Sequence, residues 1–582
     1  MSLFSKVFIL TIVLYGLSLF LVGHFVTPRK QLQQKIPPLN KARKNPLRFS
    51  HPFLALKVLN QLDIFTPVDE GYFKNGAQSK SRYDQPFLGL KNDDDYCEKQ
   101  RAFFVKNPSV VFDEMNVLFD IGPSHLIRKK ALPGIGNDIQ PKIGEHRGST
   151  KNNQFLDEIR PEVNVFWTTK SMNEYKHLGK HFSCLSQMSN HVLGHRALGR
   201  KDYIAENAIA YGKNFETRPQ CFNYDKFFPQ TWLLYNKEDC QNFFKILDSP
   251  GYEEAKKERH IVFIRKIASG SHRGEGVQPV DKAEEDDLKA IYANGKQCGI
   301  IKKNYIVQSY VHNPLLLNGH KFDFRVYMLI ASTDPMIAYY HDGFLRVTLA
   351  NYDASSSDKK VLLTNLALNK QIYDDVKGGN LYEGMDEETL KQAQQWSYQR
   401  LQDYLMEKGI ISDPNWLDNH LRPQFKKAMI HLLRMTSHKL KKDKTTFELY
   451  GVDFLLDTNL NLWFIEANSG PAIGGYSVPM EKFIVKMVQD HFEIVSGLLK
   501  SRMKRVMKYV NKIIQNGEAM INFEGEAMIL DLESKRREFK EITKNYFEKE
   551  FEPSAANGFK KIIDANYEGV EMYQGLIEYE CL

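Results

Sequence analysis

Cysteine is scarce, with six residues (Cys97, Cys184, Cys221, Cys240, Cys298 and Cys581) in a chain of 582. None stands at C-x-x-C spacing or at ligand spacing from a histidine, which disfavours both a structural zinc site and a disulfide framework. The pattern fits a reducing compartment. Charge of one sign is also lacking once it is located. Lys and Arg number 79 against 71 Asp and Glu, but residues 1–50 hold eight bases (Lys6, Arg29, Lys30, Lys35, Lys41, Arg43, Lys44, Arg48) and no acid. The remainder is therefore 71 against 71, and a terminal basic excess gives no ground for a nucleic-acid-binding core. No internal repeat is present. Neither G-x-x-x-x-G-K-S/T nor G-x-G-x-x-G accompanies the glycine-rich loop near residue 270, so a P-loop and a dinucleotide fingerprint are excluded there.

What is present supports burial. Apolar residues make up 42% and aromatics 12%, so wholesale disorder is excluded. The length allows roughly three to five domains, or fewer large ones. One long apolar run, Val7 to Val22, continues through His24 to Val26. About twenty such residues suffice to cross a bilayer as a helix. Seven of the basic residues follow the run, and the positive-inside tendency then puts the rest of the chain in the cytosol. A cleaved signal peptide and an interfacial helix are the rival readings. Residues 27–50, with Pro28, Pro37, Pro38 and Pro46 among the bases, read as a tether. Beyond Pro479, Phe483, Ile484, Met487, Val488, Phe492, Val495, Leu498 and Leu499 recur at helical spacing.

Three segments carry chemistry. Lys321 to Met328 alternates with period two, which predicts a strand with Lys321, Asp323 and Arg325 on one face and Phe322, Phe324 and Val326 on the other. The plain reading is a solvated sheet face; the functional one is a charged wall for an anionic ligand. Phe447 to Asp457 and Leu460 to Asn468 flank Thr458-Asn459 and predict a β-hairpin. A turn centred on Asn459-Leu460 sets Asp453 opposite Glu466, about 5 Å apart, with Asn468 on the same face. Carboxylate and amide oxygens without His or Cys suit a hard cation such as Mg²⁺. The third segment is an apolar strand carrying Lys266, followed by a loop with Gly270, Gly274 and Gly276. Glycines let backbone N–H groups approach phosphate oxygens, and a lysine supplies charge.

These motifs, in this order, resemble the tubulin-tyrosine-ligase-like family of ATP-grasp ligases. The resemblance runs from Asn190-His191 and Arg200-Lys201-Asp202 through the Lys266 strand with Arg-Gly-Glu-Gly, Val307-Gln308-Ser309-Tyr310, Asn313-Pro314-Leu315 and Lys321-Phe322-Asp323-Phe324-Arg325. It continues through Asp342-Gly343-Phe344-Leu345-Arg346 and Leu363-Thr364-Asn365 to Glu466-Ala467-Asn468-Ser469-Gly470-Pro471. The sequence departs from the pattern at Ser309, Ile267 and Leu363, where lysine, proline and histidine are usual.

The resemblance implies an α+β chain, an ATP-grasp fold of two α+β subdomains sandwiching ATP preceded by a smaller N-terminal α/β subdomain, and the apolar run adds an N-terminal transmembrane helix. The implied division is anchor 1–27, tether 28–50, irregular region 51–155, ligase domain 156–500, and basic helix with tail 501–582. It implies ATP and two Mg²⁺ ions as cofactors. Lys201, Lys266, Arg273, Gly274 and Gly276 would meet the phosphates, with Lys321 and Asp323 beside them. Gln308, Ser309, Tyr310 and Val311 would hold adenine. Asp453, Glu466 and Asn468 would hold metal, with Glu466 bridging. Lys321, Asp323, Arg325 and Arg346 would serve the free amino acid and the acyl-phosphate; Arg325 is the candidate for the α-carboxylate and Asp323 for the ammonium.

The implied activity is ATP-dependent addition of an amino acid to a carboxylate of tubulin. Glutamate leads, as the family's commonest substrate. Glycine or tyrosine, another acceptor protein, a small peptide acceptor, or a silent microtubule-binding scaffold are the alternatives. The expected location is a membrane-tethered catalytic domain in the cytoplasm, associated with microtubules or cilia. The basic run Lys500, Arg502, Lys504, Arg505, Lys508 and Lys512 reads as a solvated helix face or as a dock for acidic tubulin tails.

Overall fold

The structure, a computed structural model, describes residues 47–63, 94–113, 115–120, 139–142, 162–168, 184–217, 226–268, 276–364, 391–471, 473, 477–543 and 551–564. The expected anchor and most of the tether lie outside the described residues. Among the described residues no helix is long and apolar enough to cross a membrane. All elements below belong to the unit Leu47–Leu582.

Four short strands, β1 (Thr231–Leu233), β2 (Phe263–Ile267), β3 (Val277–Pro279) and β4 (Tyr305–Ser309), form an antiparallel sheet in the order β1-β4-β2-β3. One face of this sheet carries Trp232, Phe263 and Val307 against Phe243, Phe244, Leu288 and Tyr292 of the neighbouring helices and turn. The helices Lys237–Leu247 and Lys282–Ile291 start where the Asn236 and Asp281 side chains accept first-turn N–H groups.

The second sheet is built on β5 (His320–Thr333), β6 (Met336–Asn351), β7 (Thr446–Leu456) and β8 (Leu462–Asn468), antiparallel in the order β6-β5-β7-β8. The period of two in β5 sorts its side chains. Phe322, Phe324, Val326, Met328 and Ile330 pack with Leu401, Phe425, Met429 and Leu432. Tyr327, Leu329 and Ala331 pack with Ile484, Met487, Val488 and Phe492 of the long helix Val478–Gln515. Each Val, Leu, Ile, Phe or Met side chain among them contributes about 1.5–3 kcal/mol on burial. The charged residues Lys321, Asp323 and Arg325 begin the same row as Tyr327 and are buried as well.

Segment 51–155 is less irregular than expected. It holds the helices Pro52–Leu62 and Asp94–Lys106 and the strands Met115–Asp120 and Ile139–Lys142. These strands, with Val165–Thr168 and Met188–Asn190, are parallel and join β7 through Met188–Asn190. The N-terminal α/β part thus extends the large mixed sheet, which has eleven strands among the described residues. The hydrophobic runs are short and separated by polar stretches, so they leave little periodicity to read.

Further expectations are corrected. The boundary at residue 500 falls inside one continuous helix, Val478–Gln515, and Lys560–Asp564 adds a strand to the edge of β6. The basic run is not wholly solvated. Arg502 is fully buried, donates to the Lys444 and Gln187 carbonyls at 2.6 and 2.9 Å, and has its pKa pushed down to about 10 by burial. Arg505 is buried too and donates to the Ile542 carbonyl at 3.1 Å, whereas Lys504, Lys508 and Lys512 are exposed. Cysteine is also paired after all. Cys97–Cys184 and Cys240–Cys298 are disulfides with Cα–Cα distances of 5.5 and 5.7 Å. Their separations of 87 and 58 residues hid them from any spacing rule.

Candidate functional site

A cleft lies between the two sheets. In the small sheet, pairing of Ile264 with Gln308 and of Lys266 with Ile306 brings Lys266 and Gln308 to one face, turned to the cleft. Lys266 Nζ donates to Gln308 Oε1 at 2.6 Å, and Gln308 Nε2 donates to Thr231 Oγ1 at 2.9 Å. Burial, with Lys201 nearby, pushes the Lys266 pKa down to about 8 against the pull of Glu466.

The large sheet supplies the opposite wall. Register sets Asp323 beside Arg346 on β6 and Arg325 beside Asp453 on β7. Arg346 Nε and Nη2 each donate to Asp323 at 2.6 Å, and Nη2 also reaches Asp453 Oδ2 at 2.8 Å. Burial opposes the guanidinium charge, but Asp323 and Asp453 hold the Arg346 pKa well above its ordinary value. Thr364 Oγ1 donates to Asp323 as well. Lys321 Nζ donates to the Tyr310 hydroxyl and the Leu362 carbonyl, both at 2.9 Å. Burial pushes its pKa down to about 7, with Lys266 adding to the shift and Asp323 resisting it.

The hairpin brings the oxygen donors together by a route the sequence did not show. Its turn centres on Asn459, with Leu460 in the left-handed region at φ 63° and Asp457 accepting the Asn459 and Asn461 N–H groups at 2.9 Å. Continued regularly from Phe454–Phe464, that register would set Asp453 opposite Ile465. A β-bulge between Asp453 and Phe454 shifts it by one residue and pairs Asp453 with Glu466. Lys201, the first residue of helix Lys201–Thr217, lies 3.0 Å from Glu466 Oε2, and Asn468 Nδ2 donates to Oε1 at 3.2 Å. Burial would raise the Glu466 pKa, but Lys201, Asn468 and Lys266 together hold it at about 2.

Lys201, Lys266, Gly276, Gln308, Ser309, Tyr310, Val311, Lys321, Asp323, Arg346, Asp453, Glu466 and Asn468 all line this one cleft. Arg273 and Gly274 lie outside the described residues. Arg325 departs from expectation. Its Nε and Nη2 grip Asp453 at 2.5 and 3.0 Å, so the fork expected to be free for a ligand carboxylate is already engaged behind the cleft. Asp323, expected to hold an ammonium, is engaged by Arg346 and Thr364. The lining also includes Ile264, Leu362, Leu455, Trp463 and Ile465, which sequence reasoning gave no role, and Thr364, which it placed in a motif without a role. Spacing carried a signal for Ile264, two residues before Lys266, and for Leu455, two residues after Asp453.

The oxygen set fits a hard cation. Lys201, Asn468 and Lys266 hold Glu466 as a carboxylate, and Arg325 and Arg346 donate to Asp453, whose oxygens, like those of Glu466, each keep a lone pair for a metal. Among the described residues no cluster of three or more His, Cys, Asp or Glu side chains stands as a metal site, so the amide oxygen of Asn468 is what completes a trio.

The cleft between the two sheets thus gathers buried cations and hard-oxygen donors in one place. The chain belongs to the tubulin-tyrosine ligase family, whose pattern matches residues 179–505, more than half of its length. It is 32% identical over 270 residues to the protein polyglycylase TTLL10 of Macaca fascicularis, covering 44% of this chain and 40% of that protein. It is 29% identical over 322 residues to the inactive polyglycylase TTLL10 of Homo sapiens, covering 52% and 44%. The tubulin monoglutamylase TTLL4 of Mus musculus is 27% identical over 322 residues, covering 54% and 24%. The matched stretch thus spans less than half the length of each of these relatives.

Proposed function

We propose that this chain is an ATP-dependent ligase that joins a free amino acid to a carboxylate of an acidic protein tail. The observation that carries the proposal is the convergence of Lys266, Lys321 and Arg346 with Asp453, Glu466 and Asn468 in one cleft between two sheets. Asp453, Glu466 and Asn468 would hold Mg²⁺, which when bound screens charge on the phosphoryl oxygens. Gln308 to Val311, at the end of β4, would hold the base, and Lys266 and Lys201 the phosphates. The acceptor carboxylate attacks the γ-phosphorus in line, ADP leaves, and an acyl-phosphate forms. The neutral amine of the amino acid then attacks the acyl carbon, phosphate leaves, the nitrogen loses a proton and an amide remains. Lys321 and Arg346 line the cleft where charge would develop on the transferring phosphoryl group. Arg325 positions Asp453 rather than touching the amino acid.

The relatives' names divide between glycine and glutamate. Glycine therefore takes precedence over glutamate as the amino acid to test first, and tubulin is the acceptor that TTLL4 is named for. One relative is named an inactive polyglycylase, but a silent scaffold has no need of three metal-binding oxygens backed by arginine and lysine. The test incubates the purified full chain with MgATP, labelled glycine or glutamate, and tubulin, followed by mass mapping. ATP-dependent mass additions on glutamate side chains support the proposal. Their absence with every amino acid and acceptor refutes it.

A further inference from the structure

We infer that the catalytic body folds and works in an oxidising compartment, so that its acceptor in the cell is an acidic protein of the secretory or extracellular space rather than a cytosolic one. The word acceptor rests on the ligase reading above; the compartment rests on the disulfides alone.

The bridges lie in two separate parts of the body. Cys97, on the helix Asp94–Lys106, meets Cys184 just before the strand Met188–Asn190, beside the large sheet. Cys240, on the helix Lys237–Leu247, meets Cys298 in the aromatic core of the small sheet, with Phe243, Phe244 and Tyr292 around it. All four cysteines are at most 5% exposed. Neither bridge lines the cleft, and ligation moves no electrons, so the bridges have no part in the chemistry. Their burial also keeps them from acting as exposed redox switches. What remains is a structural role, and structural disulfides persist where the surroundings are oxidising. In the cytosol, glutathione and thioredoxin keep such thiols reduced. Each bridge forms as two thiols lose two electrons and two protons to a disulfide-donating oxidant of the compartment.

The apolar run Val7–Val22 supplies the route, because as a signal or an anchor it would direct the chain into that pathway. The bases after it favour the opposite orientation, but they express only a bias in insertion. The covalent bonds require an oxidant. ATP and the amino acid must then be supplied on the same side of the membrane as the acceptor.

The test uses the full chain expressed in cells with a secretory pathway. Cells are lysed into excess N-ethylmaleimide, and the protein is digested without reductant and mass-mapped. Sealed microsomes from the same cells are treated with protease, with and without detergent. The expected result is linked Cys97–Cys184 and Cys240–Cys298 peptides, and a body digested only after detergent is added. Alkylated cysteines at these positions, or digestion without detergent, would overturn the inference. The same preparation is assayed with MgATP and glycine on an acidic peptide. Ligation by a protein with free thiols sinks the compartment alone, whereas linked, protected protein that never ligates sinks the ligase reading alone.

Discussion

The cleft holds two lysines poised to change charge when phosphate arrives. In the free protein the pKa of Lys321 is about 7 and that of Lys266 about 8, both lowered first by burial. A polyphosphate beside them supplies the counter-charge that burial removed, so both pKa values rise on binding and protons are taken up. At pH 7.5 about three-quarters of Lys321 and about one quarter of Lys266 are neutral in the free protein, and nucleotide binding should take up about one proton. The sign follows directly. Affinity is full below pH 7, weakens about tenfold per unit as pH rises from 7 to 8, and about a hundredfold per unit beyond 8, where both lysines titrate. Isothermal calorimetry with MgATP in buffers of different ionisation heat measures the uptake. Lys321→Met should lower it to about a quarter of a proton, and the difference between the two proteins cancels the nucleotide's own protons. Equal proton uptake by wild type and Lys321→Met, or an affinity flat from pH 7 to 9, would refute the placement of these lysines against the phosphates.

Other substitutions test the remaining parts of the site. Glu466→Gln should abolish ligation while the thermal unfolding midpoint stays within a few degrees, because the lost carboxylate is a metal donor on a hairpin edge; wild-type turnover would remove it from the metal set. Arg325→Lys loses the planar grip on Asp453 and should raise the KM for MgATP about ten- to a hundredfold, leaving the amino acid's KM unchanged. A change confined to the amino acid would return Arg325 to the substrate. Gly343 lies at the register shift between the Arg325–Phe344 and Tyr327–His341 pairs of β5 and β6, and a Cβ there would sit 1.5 Å from the Arg325 carbonyl oxygen. Gly343→Ala should therefore cost about 2–4 kcal/mol, read as a lower denaturant midpoint, and an unchanged midpoint would contradict this backbone approach.

Local order was legible in the residues themselves. The alternation in Lys321–Met328 marks a strand because side chains on a pleated backbone alternate faces, and the apolar spacing after Pro479 marks a helix for the matching reason. The residue types of the oxygen donors and the cleft lysines were equally plain, since chemistry at that level depends on the functional group and its local spacing. Tertiary structure decided what each group faces. Only pairing across strands shows that Arg325 is held by Asp453, and only the bulge after Asp453 sets Glu466 opposite it. Arg502, one base in a run that reads as solvent-facing, is buried because the carbonyls of Lys444 and Gln187, remote in sequence, converge on it. The disulfides belong to the same class. A bond across 87 or 58 residues depends on where two distant segments pack, and one-dimensional spacing carries no record of that distance.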